Sequence, residues 1–379
     1  GACKPAGAAG RAQSGWRSRD GGALPYTGRQ RRFGGCKGVV MMDEATLPDT
    51  QRVILFNKCP DGMPTEDCFL LSEAPVPEIA DGEVLVKTHF LSIDPYMRNA
   101  MRGGGNYGPL NPGDVMIGRG AGVVVASRHP DFKPGDAVQS EFGWREYVAL
   151  KGDGLRKLPP DLEPLSLSLG VVGQSAATAW VGLRDVAKVQ RGETIVVSAA
   201  AGAVGSAVGQ IGRILGCRVV GIAGGPEKCR HAVEDLGFDT CLDYKAGDLS
   251  GQIGKAVPEG IDVYFDNVGG ETLDAVLEHV NEEARVAICG QISQYNLARP
   301  RPLENIGVLL AKGVMMQGFR IGSRLDRRDQ ALEELLGWWR DGRLEYRETV
   351  SEGFETAPAA LINMLSGGNR GKQVVRVTG

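Results

Sequence analysis

Residues 194–205 read Thr-Ile-Val-Val-Ser-Ala-Ala-Ala-Gly-Ala-Val-Gly. A β-branched run breaks into a turn of small residues, and a helix-compatible segment follows over 206–215. The small positions fit the dinucleotide fingerprint as Ala200-x-Gly202-x-x-Gly205, with alanine in the first slot. Gly202 lets backbone approach a pyrophosphate, Gly205 lets helix and strand pack closely, and the helix start at Ala203 and Val204 offers free N–H groups to an anion. A glycine-rich hexamer alone is a weak signal. Its position between a strand and a helix gives it weight.

The chain of 379 residues is long enough for two domains. Its 42% hydrophobic and 23% charged content is that of an ordinary globular protein. No run reaches the roughly 18 apolar residues of a membrane span. Charge is uneven: residues 1–42 carry eight Lys/Arg against Asp20 alone, so +7, and the net −3 of the whole leaves −10 for residues 43–379. That acidic remainder offers no footprint for nucleic acid. The basic head is Gly-, Ala- and Arg-rich and too poor in apolar residues to order itself. It reads as a disordered extension, with Met41 or Met42 the natural start of the protein. An organelle-targeting segment is the alternative reading. Eight cysteines, none in Cys-x-x-Cys spacing, and four histidines argue against a zinc cluster or a disulfide framework. Reduced thiols point to a cytoplasmic protein.

Short β-rich runs at 52–57, 68–72, 83–91, 120–127, 137–141 and 145–151 alternate with turn residues such as Lys133-Pro134-Gly135-Asp136, as in an all-β barrel. Helical spacing starts near Leu165 and continues over 176–186. Strand–helix alternation then places strands at 195–199, 219–223, 241–242, 263–267, 285–289 and 314–319. The tail returns to β character at 347–350 and 373–377 around a helix at 357–365. The fold class is therefore α/β: a β-barrel domain interrupted by a doubly wound parallel-sheet domain. The expected boundaries are 43–165 for the first barrel part, 166–323 for the nucleotide domain and 324–379 for the second barrel part.

Several motifs in order carry a resemblance: Leu91-Ser-Ile-Asp-Pro-Tyr-Met-Arg98, Ala199 to Gly205, Glu227-Lys228-Cys229-Arg230, Leu236-Gly-Phe-Asp239, Asp266-Asn-Val-Gly-Gly270, Cys289-Gly-Gln-Ile-Ser-Gln-Tyr-Asn296 and Gly368-Asn-Arg-Gly-Lys372. Over residues 48–379 the chain resembles the medium-chain dehydrogenase/reductase superfamily. Within it, the chain resembles the zinc-independent branch of prostaglandin reductases, leukotriene B4 12-hydroxydehydrogenases and bacterial curcumin reductases. The resemblance implies a GroES-like domain joined to a Rossmann domain, a homodimer, and NADPH-dependent reduction of the C=C bond in α,β-unsaturated ketones or aldehydes. It also implies a cofactor site along Asn267, Cys289, Gly290, Ile292, Ser293, Tyr295, Phe319 and Asn369.

The residues support parts of this independently. NAD sites commonly place a carboxylate about 20 residues beyond the glycine turn. Here that position is Gly225, in an acid-free Gly224-Gly225-Pro226. Lys228 and Tyr244 are candidate ligands for a 2′-phosphate, as family members use the matching pair. Lys228 could equally be a solvated charge, and Glu227 is either an exposed helix start or a rival ribose carboxylate. Arg119 stands where zinc-dependent members carry a histidine, and a guanidinium presents only donors, so no metal is expected. Hydride delivery to a conjugated C=C requires only donors that hold the carbonyl as enolate charge develops.

Tyr96 and Tyr295 are the candidate catalytic residues, with Arg98 beside Tyr96 as a substrate candidate. Each tyrosine could instead be a buried structural residue, and Arg98 a structural cation for Asp94 or Asp114. Cys289 could be packing only, and Asn369 simply a left-handed turn residue. Ala311 falls where mammalian prostaglandin reductases carry a further tyrosine, which favours smaller or flatter enones. A quinone oxidoreductase and a catalytically idle NADPH-binding protein are the rival functions.

Overall fold

The computed structural model describes residues 47–103 and 110–377, with the backbone of Val40–Met41. The expectations for the basic head lie outside the described residues, apart from the backbone of Val40–Met41. The parallel sheet has six strands: β1 (Thr194–Ser198), β2 (Arg218–Ala223), β3 (Thr240–Asp243), β4 (Ile261–Asp266), β5 (Val280–Ile288) and β6 (Met315–Gly318). Their order is β3-β2-β1-β4-β5-β6, every pair parallel. All five residues of β1 are buried, as covered parallel strands require. Chain order reverses between β1 and β4, and the crevice beyond their carboxyl ends is where such sheets bind ligands.

The helix after β1 runs Ala203–Ile214, three residues ahead of the segment expected from sequence. It starts early because the Gly-rich turn itself forms the first helical turn. The helix lies close on the sheet: a Cβ on Gly212 would meet Ile195 Cδ1 at 2.9 Å and Val219 Cγ2 at 3.0 Å. The helical run expected over 176–186 is an α-helix, Gln174–Val181, that widens into a π-turn at Gly182–Val186.

The second domain is a mainly antiparallel sheet in the order Glu348–Glu352, Lys372–Arg376, Glu83–Ser92, Arg119–Ser127, Ala137–Glu141, Arg156–Lys157, with Tyr147–Lys151 also on Glu83–Ser92. Val40–Met41 adds a short strand against Ala126 and Ser127. Thr50–Phe56 and Phe69–Pro75 form a separate hairpin sheet. The expected boundary at 324 cuts a helix from its core. Helix Leu325–Arg340 buries Ala331 and Leu335 in the same apolar cluster as Ile195 and Val197, and Trp180 Nε1 donates to Glu334 Oε2 at 2.9 Å. The chain thus re-enters the β domain later, at Glu348–Glu352. The six described cysteines are all free thiols.

Candidate active site

The glycine turn is built on one unusual backbone residue. Ala199 adopts φ +52, and its carbonyl accepts the Gly202 N–H at 2.8 Å. A Cβ on Gly205 would fall 2.2 Å from that carbonyl oxygen, whereas one on Gly202 would lie 3.1 Å from it. Gly205 is therefore required for packing. Gly202 to Val204 remain half-buried, with the first N–H groups of the helix open beside them. The C-terminal loop closes over this turn: Gly371 N–H donates to Ala201 O at 2.8 Å, and Gly202 pairs with Gly371. Asn369 Nδ2 donates to Gly371 O at 2.9 Å, and the left-handed positions of that loop are Gly367 and Gly371, so Asn369 is not a turn residue by conformation.

Beyond β2, Tyr244 lies with its ring over Gly224. Lys228 starts the next helix and donates to Gly367 O at 2.7 Å. Burial lowers its pKa, and the Lys245 and Arg370 charges lower it further. Three cations and a phenol thus converge on an otherwise acidic molecule, a setting that suits a doubly charged phosphate. Glu227 is ion-paired to Arg370 at the surface. Asp243 is committed as well, accepting Gly225 N–H at 2.7 Å and Lys245 N–H at 2.9 Å. Arg370 and Lys245 were missed by sequence reasoning. Arg370 sits inside the Gly368–Lys372 motif, but its place beside Lys228 depends on how the last loop folds back.

At the sheet's reversal point two loops are laced together. Cys289 and Gly290 N–H both donate to Asp266 O, Ile292 N–H to Asn267 O at 3.2 Å and Ser293 N–H to Val268 O at 3.2 Å. Asn267 is fixed to β1 through its side-chain amide, which donates to Ser198 O at 2.8 Å. Burial, with Asp266 nearby, pushes the Cys289 thiol up to about 12, so it is neutral at physiological pH. Phe319 follows β6 and packs edge-on to Phe265, ring centroids 6.0 Å apart.

Tyr295 closes this loop. Its hydroxyl accepts Gln291 N–H at 3.1 Å, and Asn99, on helix Tyr96–Met101 of the β domain, is near enough to favour its ionised form. Burial raises the phenol's pKa. The same short helix carries Tyr96, which packs with Ile117 and Ile292 onto one apolar cluster. Arg98 is fully buried, with Nε 2.8 Å from Asn296 Oδ1 and Nη2 2.6 Å from Gly62 O. It pairs with neither carboxylate expected for it. Asp94 instead holds Lys372, Nζ to Oδ1 at 2.9 Å, and Asp114 accepts Asn111 N–H.

Arg119 Nε lies 2.7 Å from Glu141 Oε1. Among the described residues no group of three or more His, Cys, Asp or Glu is placed to hold a metal ion.

Two family descriptions match the chain, "N-terminal domain of oxidoreductase" at residues 52–158 and "zinc-binding dehydrogenase" at 203–337. The NADPH-dependent curcumin reductase of Escherichia coli is 44% identical over 327 residues, 84% of this chain and 95% of that protein. The chain belongs to the medium-chain dehydrogenase/reductase superfamily. Prostaglandin reductase 1 of Rattus norvegicus is 42% identical, covering 83% of this chain and 96% of its own. Among solved structures, CurA from Vibrio vulnificus in complex with NADPH matches with a TM-score of 0.82 at 41% identity, over 86% of this chain and 99% of its own. A quinone oxidoreductase of Pseudomonas syringae shares 23% identity at TM-score 0.71, a likeness of fold alone.

Proposed function

We propose that this member of the superfamily is an NADP-dependent oxidoreductase that reduces the C=C bond of α,β-unsaturated ketones or aldehydes. Support for the coarser part, an NADPH-dependent double-bond reductase, comes from the curcumin and prostaglandin reductase relatives and from the relative solved with NADPH. Lys228, Lys245, Arg370 and Tyr244 would hold the 2′-phosphate. Gly202 to Gly205 would take the pyrophosphate, Asn267 and Asn369 the ribose side, and Cys289 to Tyr295 with Phe319 the nicotinamide end. When bound, NADPH supplies the hydride.

The observation that carries the finer reading is Tyr295, whose hydroxyl accepts Gln291 N–H and faces Asn99 of the β domain. There its O–H can donate to a substrate carbonyl oxygen and strengthen that bond as negative charge builds. Solvent or a tyrosine supplies the proton at the α-carbon. Arg98 serves by position, since its Nε and Nη2 are spent on Asn296 and Gly62.

The test is product identity. With 3-nonen-2-one or curcumin, NADPH should be consumed and the saturated ketone formed. Tyr295→Phe should lower kcat by about 100-fold with little change in NADPH affinity. An allylic alcohol product would overturn the regiochemistry, and turnover of quinones alone would select the other enzyme class.

A homodimer is proposed through the free edge of β6. Leu310 is 91% exposed and Ile306 60%, both beside that edge strand, and exposed apolar side chains along an unpaired edge invite a second copy. Leu310→Glu should shift the protein from dimer to monomer in analytical ultracentrifugation; a monomeric wild type would refute the proposal.

A further inference from the structure

Arg98 has no exposed surface, and its hydrogen bonds go to neutral acceptors alone. Nε reaches both Asn296 Oδ1 at 2.8 Å and Gly62 O at 3.2 Å, and Nη2 reaches the same carbonyl at 2.6 Å. Nη1 is closed off from solvent without a hydrogen-bond partner. Burying a cation on neutral acceptors is costly, so stability gives a poor account of this residue. What a guanidinium offers, and a neutral side chain does not, is a planar fork that holds two acceptors at once.

The two acceptors belong to different domains. Gly62 lies in the loop after strand Thr50–Phe56 of the β domain. Asn296 follows Tyr295 in the loop beyond β5 of the nucleotide domain. Neighbouring contacts cross in the same place: Arg102 Nη2 donates to Leu297 O at 2.7 Å, and Asn296 Nδ2 lies 3.5 Å from Met63 Sδ. The backbones come close as well, since a Cβ on Gly62 would meet Asn296 O at 3.8 Å. The loop that carries Tyr295 is thus fastened at both ends. Ile292 and Ser293 N–H tie its start to Asn267 and Val268, and Asn296 and Leu297 tie its end to the β domain.

We propose that Asn296 is a positioning residue for the reduction, whose bond to Arg98 sets where the Tyr295 hydroxyl stands relative to the β domain. This rests on Tyr295 being the group that holds the substrate's carbonyl oxygen. The two residues are adjacent in the chain, so a shift of one carries the other. Without the bond, the loop keeps its anchors on Asn267 and Val268 at the cofactor side, while its far end swings. A reacting group misplaced by about 1 Å can lose about 100-fold in rate. Arg98 is then buried for its reach across the domain boundary, with Asn296 as the part of the contact that steers Tyr295.

The experiment compares wild type, Asn296→Ala, Asn296→Asp, Tyr295→Phe and Asn296→Ala in the Tyr295→Phe background, with an enone and NADPH. Asn296 is half-buried, so alanine leaves a gap beside solvent rather than within a core. Asn296→Ala should lower kcat about tenfold, with NADPH affinity and the KM for the enone held within about twofold. Asn296→Asp keeps an acceptor for Arg98 and should recover the rate to within about threefold. In the Tyr295→Phe background, Asn296→Ala should cost less than about twofold more, since no hydroxyl is left to aim. A merely structural role would carry the whole loss into that background and would overturn the inference. An Asn296→Ala enzyme as fast as wild type, beside a slow Tyr295→Phe, would overturn it too. In both cases the enone reading stands. If Tyr295→Phe is as fast as wild type, Tyr295 does not hold the oxygen and the inference goes with it.

Discussion

Lys228→Ala should raise the KM for NADPH by about 30- to 100-fold, the size of one charge-assisted contact, and leave kcat at saturating NADPH nearly unchanged. NADH, without the 2′-phosphate, should be used equally by wild type and variant. The unchanged kcat follows because the 2′-phosphate is remote from the reacting carbons, so its binding energy is equal in ground and transition states. Lys228 starts with a lowered pKa through burial and the neighbouring Lys245 and Arg370, and an arriving dianion relieves that repulsion.

Arg370→Ala should weaken NADPH by about tenfold for two reasons, loss of a cation and release of the Glu227 carboxylate it holds. Glu227→Ala in the Arg370→Ala background should restore part of that loss, a coupling that a double-mutant cycle measures directly. All of these effects should shrink at high ionic strength. An unaltered preference for NADPH over NADH in Lys228→Ala would remove this pocket from cofactor selection.

What was legible in the chain was whatever a local pattern encodes. The parallel sheet announced itself through buried β-branched runs, such as Thr194–Ser198, each ending in a small-residue turn. The tyrosines could be singled out because each sits just after a strand, at a Pro-fixed turn or a sheet end. The departures share one cause, which is contact between segments distant in sequence. Residues 324–379 are expected in the β domain, yet helix Leu325–Arg340 buries Ala331 and Leu335 in the nucleotide-domain core. Arg98 is a substrate candidate with Asp94 or Asp114 as its alternative partner, but Asn296, 198 residues away, is the residue it bonds. Arg370 sits inside a motif, yet only the folded chain brings it beside Lys228.

Gly205→Val should be the most damaging single change near the cofactor, lowering NADPH affinity by more than about 100-fold and Tm by about 5 °C. The added Cβ would sit 2.2 Å from Ala199 O and 2.9 Å from Ala200 Cα, both backbone atoms that no rotamer change can move. The helix would have to back away from β1, widening the turn that Gly371 closes through Ala201 and turning its first N–H groups off target.

Gly202 answers to a different constraint. Its Cβ would have only the 3.1 Å approach to Ala199 O to resolve, which a small shift can absorb. Gly202→Ala should therefore leave Tm nearly unchanged while still weakening NADPH, because the methyl would occupy the path of the pyrophosphate rather than the protein's own packing. Calorimetry and cofactor titration on the pair separate the two roles. If Gly202→Ala unfolds the protein and Gly205→Val does not, packing and ligand approach have been assigned to the wrong glycines.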